Sequence, residues 1–268
     1  MKNNLKELKE CGDADTRNKL LSECSTILNC CDEDVQKCSV VEEQSYRYAI
    51  IRTYCKILLS CKEILCLLLN GFPDGGMALT RQVFEGWVIV RALLIGIQQN
   101  DCGLIERFFD SIVIFELKQS KRILEYVISQ KVDQKETQEK LDNVESQAMA
   151  YLTKYNKEKL RDFKDYWWAE CDSFQNLKTK VHLSDDYMYS FTSNRVHLNI
   201  ASMFNYMDQT EEGILLGPSI SGWKMPLQYM LICLRSIVGE ISAFYPEFTS
   251  PATIKKITDL AEKLRGCL

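Results

Sequence analysis

Two oppositely charged residues, Arg81 and Glu85, interrupt the apolar stretch GGMALTRQVFEGWVIVRALLI that runs from Gly75 to Ile95. If this stretch is an α-helix, the four-residue spacing places both side chains within about 40° of each other on one side. A helix that is apolar on all its faces is buried, and the burial of one unpaired charge costs several kcal/mol. The pair is therefore expected inside the protein or along a cleft. A structural ion pair and part of a ligand or catalytic pocket are both open interpretations.

A second polar group centres on His197, in the segment DDYMYSFTSNRVHLN. Helical projection places Asp186, Ser190, Ser193 and Asn194 on the same side as the imidazole. These small polar residues permit the close approach of another helix and supply hydrogen-bond partners. His197 is either a core histidine with satisfied hydrogen bonds or a group that acts as a general base or contacts phosphate.

The chain contains twelve cysteines but no C-x-x-C motif, and its only histidines are His182 and His197. The spacing of a zinc site is missing, and no glycine-rich loop ends in the Lys-Ser/Thr pair that binds phosphates. We therefore expect no metal and no cofactor. The cysteines are expected to be free thiols that act as small buried apolar side chains. We place His182 in a loop at the surface.

The charge balance gives the 268-residue chain no global attraction for nucleic acid. Lys and Arg number 33 against 37 Asp and Glu, for a net charge of −4. A local basic groove stays possible. The N-terminus lacks the apolar core of a secretory signal, and charges interrupt the longest apolar runs before they reach the length of a membrane span. We therefore expect a cytoplasmic protein without membrane contact.

Helical periodicity runs through nearly the whole chain and predicts an all-α fold, a single helical bundle of about eight to ten helices. Residues 1–38 form a predicted N-terminal helical appendage, and residues 39–268 the all-helical domain. Within that domain, residues from about 130 to 164 are highly charged with sparse apolar positions. They predict a protruding, solvated helical arm.

Two neighbouring helices would position the Arg81 and Glu85 side chains. The first is amphipathic and ends at Asn70-Gly71, a sequence typical of a helix C-terminus. The turn GFPDGG follows, and Asp74 can cap the second helix, which extends to about Gln98.

These segments together resemble a bacterial family known as domain of unknown function 5677. The resemblance covers about residues 40–210 and rests on the helix MALTRQVFEGWVIVRALL, the segment WWAECDSFQNLK and the segment YMYSFTSNRVHLN. In the family an Ala-x-x-x-Arg-x-x-x-Glu-type helix comes first, and this helix matches its Arg and Glu positions. The last segment matches a Tyr-x-x-x-Ser-x-x-x-His-type motif. The motif positions are occupied here by Arg81, Glu85, Trp168, Tyr189, Ser193 and His197.

The resemblance also implies a likeness in helical style to HEPN-type proteins, which are often RNA-cutting toxins and phage-defence factors. In those proteins an arginine and a histidine on one helix act together. In this chain Arg195 lies two residues before His197, about 160° away around a helix. The arginine that acts together with His197 would therefore have to come from another helix, and Arg81 is the best candidate.

Two functions follow from these interpretations. The first is a non-catalytic binding or interaction module of a bacterial defence or stress system, in which Arg81, Glu85 and His197 hold helices together. The charged arm would then bind a protein partner, and a homo-oligomer is also possible.

The alternative is a HEPN-like, metal-independent endoribonuclease that acts in phage defence on RNA. The catalytic candidates are Arg81, Glu85 and His197. His197 would deprotonate a ribose 2′-hydroxyl or protonate the leaving oxygen, while Arg81, oriented by Glu85, would stabilise the charge of the phosphorane. The candidate ligand contacts are Tyr189, Ser193, Asn194 and Trp168.

Overall fold

The computed structural model describes residues 14–38, 43–131, 134–183, 208–210, 213–215 and 222–265. This part of the chain contains eight α-helices, so the all-α prediction is confirmed. They are α1 (Ala14–Gln36), α2 (Tyr46–Leu69), α3 (Pro73–Gln98), α4 (Cys102–Ser129), α5 (Gln134–Lys154), α6 (Phe174–Lys180), α7 (Lys224–Phe244) and α8 (Pro251–Arg265). Short 3-10 turns occur at Leu160–Asp162, Trp167–Ala169 and Pro246–Phe248.

A small β-hairpin lies between α6 and α7 in the sequence. Strand β1 (Asp208–Thr210) pairs antiparallel with β2 (Gly213–Leu215), with Gln209 opposite Ile214. The sequence does not predict this hairpin, because strands of three residues are too short to show a period-two pattern.

The described helices are distributed over two compact units. The first contains α1, α2 apart from its first residue, most of α3, α7 and α8. The second contains the end of α3 together with α4, α5 and α6. The predicted boundary between residues 38 and 39 stays a prediction.

The C-terminus of α2 is closed by a glycine and by a buried arginine from α1. Gly71 has a φ of 80°, and its amide donates to the carbonyl oxygen of Leu68 at 3.2 Å. The amide of Phe72 donates to Leu67 at 2.8 Å, which completes a Schellman motif. Arg17, only 7% exposed, also donates to the Leu68 carbonyl. The helix end predicted at this point is confirmed.

Helices α1 and α8 are joined by the carboxylate of Asp34. Its Oδ2 accepts hydrogen bonds from the amide of Ser250 at 3.0 Å and from the hydroxyl of Thr253 at 2.7 Å, and Lys37 Nζ lies 3.3 Å from Oδ1. Burial by itself raises the pKa of Asp34, but these hydrogen bonds outweigh burial and hold that pKa below its ordinary value. Ser250 also caps α8, because its Oγ accepts the amide of Thr253 at 3.2 Å.

Helix α7 is a core element of the first unit. Among the described residues it is the one helix that is long and apolar enough to cross a membrane. Its buried residues include Leu227, Met230, Leu231, Leu234, Ile237, Val238 and Ile241. Because these side chains pack inside the unit and Glu240 forms an ion pair, we interpret α7 as a core helix.

In the second unit, α4 and α5 form an antiparallel hairpin that ion pairs connect. Lys121 Nζ lies 2.6 Å from Glu145 Oε1, and Lys154 Nζ lies 2.6 Å from carboxylate oxygens of both Glu106 and Asp110. The buried residues of α5 are Thr137, Leu141 and Ala148. The segment predicted as a charged helical arm is therefore mostly α5, which packs its narrow apolar side against α4 and exposes the rest.

Candidate functional site

Arg81 and Glu85 form an ion pair one turn apart on α3. The distance between Arg81 Nε and Glu85 Oε1 is 2.8 Å. The two side chains are 22% and 27% exposed. The contact predicted from their spacing is confirmed, and it has the i,i+4 geometry that stabilises helices.

The ion pair lies on a partly exposed stripe of α3, at the border of the core. This stripe consists of Ala78, Arg81, Gln82, Glu85 and Ile89. Residues on the opposite side of the helix, such as Val83, Val90 and Leu94, are buried. The all-round apolar pattern predicts burial, but it cannot show where neighbouring helices leave a gap. Water therefore reaches the two charged groups, and the desolvation penalty of placing them at this position is smaller than in a fully buried site.

A glycine next to the ion pair sets how closely α3 approaches α2. A Cβ atom added at Gly86 would lie 2.5 Å from Ile57 Cγ1, closer than packed atoms tolerate. The hydroxyl of Ser60 on α2 lies 3.3 Å from Gln82 Oε1 on α3. The close packing of α3 against α2 thus depends on the absence of a side chain at Gly86.

A second polar contact on α3 was not identified from the sequence. Trp87 Nε1 donates to Glu240 Oε1 at 3.1 Å, and Arg91 Nη1 lies 3.2 Å from the same oxygen. Burial raises the pKa of Glu240, while Trp87 and Arg91 act in the opposite direction. In the sequence, Arg91 and Glu240 stand out only as single charged residues within the apolar runs VIVRALL and IVGEISA. Their pairing could not be derived from spacing, because 149 residues separate them.

Trp168 is a packing residue of the second unit. Its side chain is 3% exposed, and its ring packs edge-on against Phe108 with the centroids 5.0 Å apart. Its carbonyl oxygen accepts a hydrogen bond from Arg107 Nε at 3.0 Å. Arg107 in turn lies 3.4 Å from a carboxylate oxygen of Glu170, which has a left-handed backbone conformation. Trp168 therefore anchors the turn that follows the arm, and its predicted ligand contact stays a prediction.

The remaining candidates, Tyr189, Ser193, Asn194 and His197, lie outside the described residues. Their convergence with the Arg81–Glu85 pair therefore stays a prediction. His182 is described, and it lies in an exposed turn with a φ of 57°. Its predicted place at the surface is confirmed.

The described cysteines are free thiols, of which Cys30 and Cys38 are half-buried and the others are either buried or exposed. The buried ones are Cys24, Cys31, Cys61, Cys171 and Cys233, whereas Cys55, Cys66 and Cys102 are exposed. The prediction of buried thiols is correct for the first group and wrong for the second. Burial raises the pKa of Cys24 to about 12 and that of Cys31 to about 11, so both stay protonated and unreactive at neutral pH. Within the described part of the chain, no three His, Cys, Asp or Glu residues cluster as metal ligands.

Comparison with known proteins gives one family. A family model described as "Family of unknown function (DUF5677)" matches residues 47–214, well over half of the chain. No curated protein and no solved structure matches the chain. The matched residues include the Arg81–Glu85 pair and Trp168, on which the resemblance noted in the sequence depends. The chain belongs to the DUF5677 family.

Proposed function

We propose that the chain is a non-catalytic interaction module that binds its partner through the α4–α5 hairpin. The observation that carries this proposal is the exposure of large apolar side chains on the hairpin. The exposed fractions are 46% for Ile112, 56% for Phe115, 61% for Ile123, 65% for Tyr126 and 61% for Met149. A concentration of exposed apolar groups on one element is typical of a protein interaction surface.

The Arg81–Glu85 pair supports a structural role for the candidate site. Both charges are engaged with each other at the border of a packed core, and the neighbouring Gly86 lets α3 pack closely against α2. In the proposed module this ion pair fixes the packing of α3 and does no chemistry.

The proposed setting is the cytoplasm of a bacterium, in a defence or stress system. The free state of the described cysteines, three of which are exposed, suits a reducing compartment. The defence or stress role rests on the family resemblance alone.

Removal of the Arg81 guanidinium tests the structural role of the pair. We expect Arg81→Ala to lower the free energy of unfolding by about 1–2 kcal/mol, because it leaves Glu85 partly buried without its counter-ion. The double variant Arg81→Ala/Glu85→Ala is expected to recover part of that loss. Urea unfolding followed by circular dichroism measures both values. A single variant as stable as the wild type would contradict the structural role.

The proposal also predicts that the purified chain does not cleave RNA. Wild-type protein, Arg81→Ala and His197→Ala are each incubated with single-stranded and structured RNA in the presence of EDTA. The expected result is intact RNA in every reaction. Cleavage by the wild type that both variants lose while they remain folded would overturn the proposal. It would establish the HEPN-like, metal-independent endoribonuclease instead.

A further inference from the structure

Helices α1 and α8 lie antiparallel, and their side-chain contacts follow one register. Lys263 Nζ lies 2.7 Å from Glu23 Oε2, and Lys256 Nζ lies 3.3 Å from Cys30 Sγ. The step back along α1 from Cys30 to Glu23 has the same length as the step forward along α8 from Lys256 to Lys263. Asp34, one turn beyond Cys30, accepts hydrogen bonds from the N-terminus of α8. The contact between Cys30 and Lys256 is therefore set by the packing of the two helices.

A small reagent can reach both partners of this contact from solvent. Cys30 is half-buried and Lys256 is exposed. A groove of about 220 Å³ between α1 and α8, which Lys256 helps to line, is larger than a molecule of hydrogen peroxide requires. The neighbouring Cys31 differs, because it is wholly buried and burial raises its pKa to about 11. An enclosed and protonated thiol does not compete for the oxidant or for an oxidised Cys30.

We propose that Cys30 and Lys256 form a peroxide-sensitive modification site, at which oxidation joins α1 to α8 through a covalent sulfur–nitrogen bond. Peroxide oxidises an accessible thiol to a sulfenic acid, and a sulfenic acid condenses with a nitrogen atom beside it to a sulfenamide. Lys256 places an amine nitrogen against the sulfur of Cys30. The site belongs to the first unit and goes beyond the proposed function, which concerns the α4–α5 hairpin of the second unit.

The first step oxidises the sulfur. The thiolate of Cys30 attacks one oxygen of hydrogen peroxide, so that a sulfur–oxygen bond forms and the oxygen–oxygen bond breaks. The hydroxide that leaves takes up the thiol proton and becomes water. Sulfur loses two electrons in this step, and the peroxide gains them.

The second step joins the two side chains. The Lys256 amine, once its ammonium proton has passed to solvent, attacks the sulfenic sulfur with its lone pair. A sulfur–nitrogen bond forms, the sulfur–oxygen bond breaks, and the hydroxide leaves with one amine proton as a second water. One thiol, one amine and one peroxide thus give one sulfenamide and two waters.

The bond changes the stability of the chain because of where it lies in the sequence. It connects residues that are 226 positions apart, so it closes a long loop and restrains the unfolded chain. The oxidised chain is therefore harder to unfold than the reduced chain. A thiol reductant reverses the change, because it attacks the sulfur and releases the amine of Lys256.

Peptide mass spectrometry of the reduced chain after treatment with hydrogen peroxide tests the bond. The expected product joins the peptides of Cys30 and Lys256, and it is about 2 Da lighter than their sum because two hydrogen atoms are lost. Dithiothreitol is expected to separate the two peptides. Treatment in concentrated urea is expected to give no such product, since the two residues are then far apart. A folded, peroxide-treated chain without the joined peptides would overturn the proposal, whatever the state of Cys30.

Lys256→Arg is the matched variant, because it keeps the positive charge beside Cys30 but removes the amine. Dimedone, which labels sulfenic acids, is expected to label Cys30 at least about tenfold more in this variant than in the wild type, since nothing then consumes the sulfenic acid. Cys66 is the internal control, because it is exposed and its sulfur lies 3.7 Å from the non-nucleophilic amide of Asn70. Its labelling is expected to be equal in both proteins. Equal labelling of Cys30 would overturn the role of Lys256.

Urea unfolding measures the consequence of the bond. The midpoint of the oxidised wild type is expected to lie at least about 1 M above that of the reduced wild type. Oxidised and reduced Lys256→Arg are expected to unfold at the same midpoint. A joined wild type that unfolds at the midpoint of the reduced chain would overturn the stabilising effect.

Discussion

Trp168→Ala is expected to lower the free energy of unfolding by about 3–5 kcal/mol, the range for removal of a large buried aromatic side chain. The indole is almost wholly enclosed, and the substitution removes its contact with Phe108 and leaves a cavity beside Arg107. The effect is measured by urea unfolding with near-ultraviolet circular dichroism as the probe of aromatic packing.

Trp168→Phe is the control that separates packing from recognition. It retains an aromatic ring against Phe108 and leaves the backbone contact with Arg107 in place, so less than half of the loss is expected. If Trp168 contacted a ligand instead, the alanine variant would unfold at nearly the wild-type urea concentration. A loss below about 1 kcal/mol would therefore contradict the anchoring role.

Asp34→Ala is expected to lower the free energy of unfolding by about 2–4 kcal/mol. The substitution removes the acceptor for the Ser250 amide and the Thr253 hydroxyl, and hydrogen bonds to a charged acceptor are among the stronger ones. It also separates α1 from the N-terminus of α8. Unfolding in urea at pH 7 measures the effect.

The contribution of Asp34 is expected to depend on pH in a defined direction. Its pKa is lower in the folded chain than in the unfolded chain, so the carboxylate stabilises the fold above the unfolded pKa of about 4. This stabilisation is lost as the pH falls through the folded pKa. Asp34→Asn provides the comparison, because it keeps one acceptor oxygen and cannot titrate. The stability difference between wild type and Asp34→Asn should be constant from pH 5 to pH 7 and shrink below about pH 4. A difference that does not change at low pH would contradict this account.

The features that could be predicted from the sequence depend on residues close together in the chain. The end of α2 at Asn70-Gly71 follows from the conformational freedom of glycine, and the structure shows Gly71 at a positive φ. The contact between Arg81 and Glu85 follows from helical spacing alone. The cap of α8 by Ser250 is equally local, since the amide that it binds belongs to Thr253.

The features that could not be predicted depend on which distant segments meet. Nothing near Arg91 in the sequence indicates that Glu240 will reach it, and nothing near Gly86 indicates contact with Ile57. The apolar residues of α4 also read as ordinary core positions, because periodicity identifies an apolar side without showing whether another helix covers it. The partial exposure of the Arg81–Glu85 pair escaped prediction for the same reason.

The segment shared with the DUF5677 family does not contain all the partners of its own helices. Residues 47–214 include α3 and nearly all of α2, whereas the side chain of Arg17 at the end of α2 and that of Glu240 beside Trp87 come from outside it. An excised fragment with these limits would expose apolar surface that α1 and α7 cover in the intact chain. The boundary of the shared segment is thus not a boundary of autonomous folding. Recombinant dissection of this chain should keep α1, α7 and α8 together with the family segment.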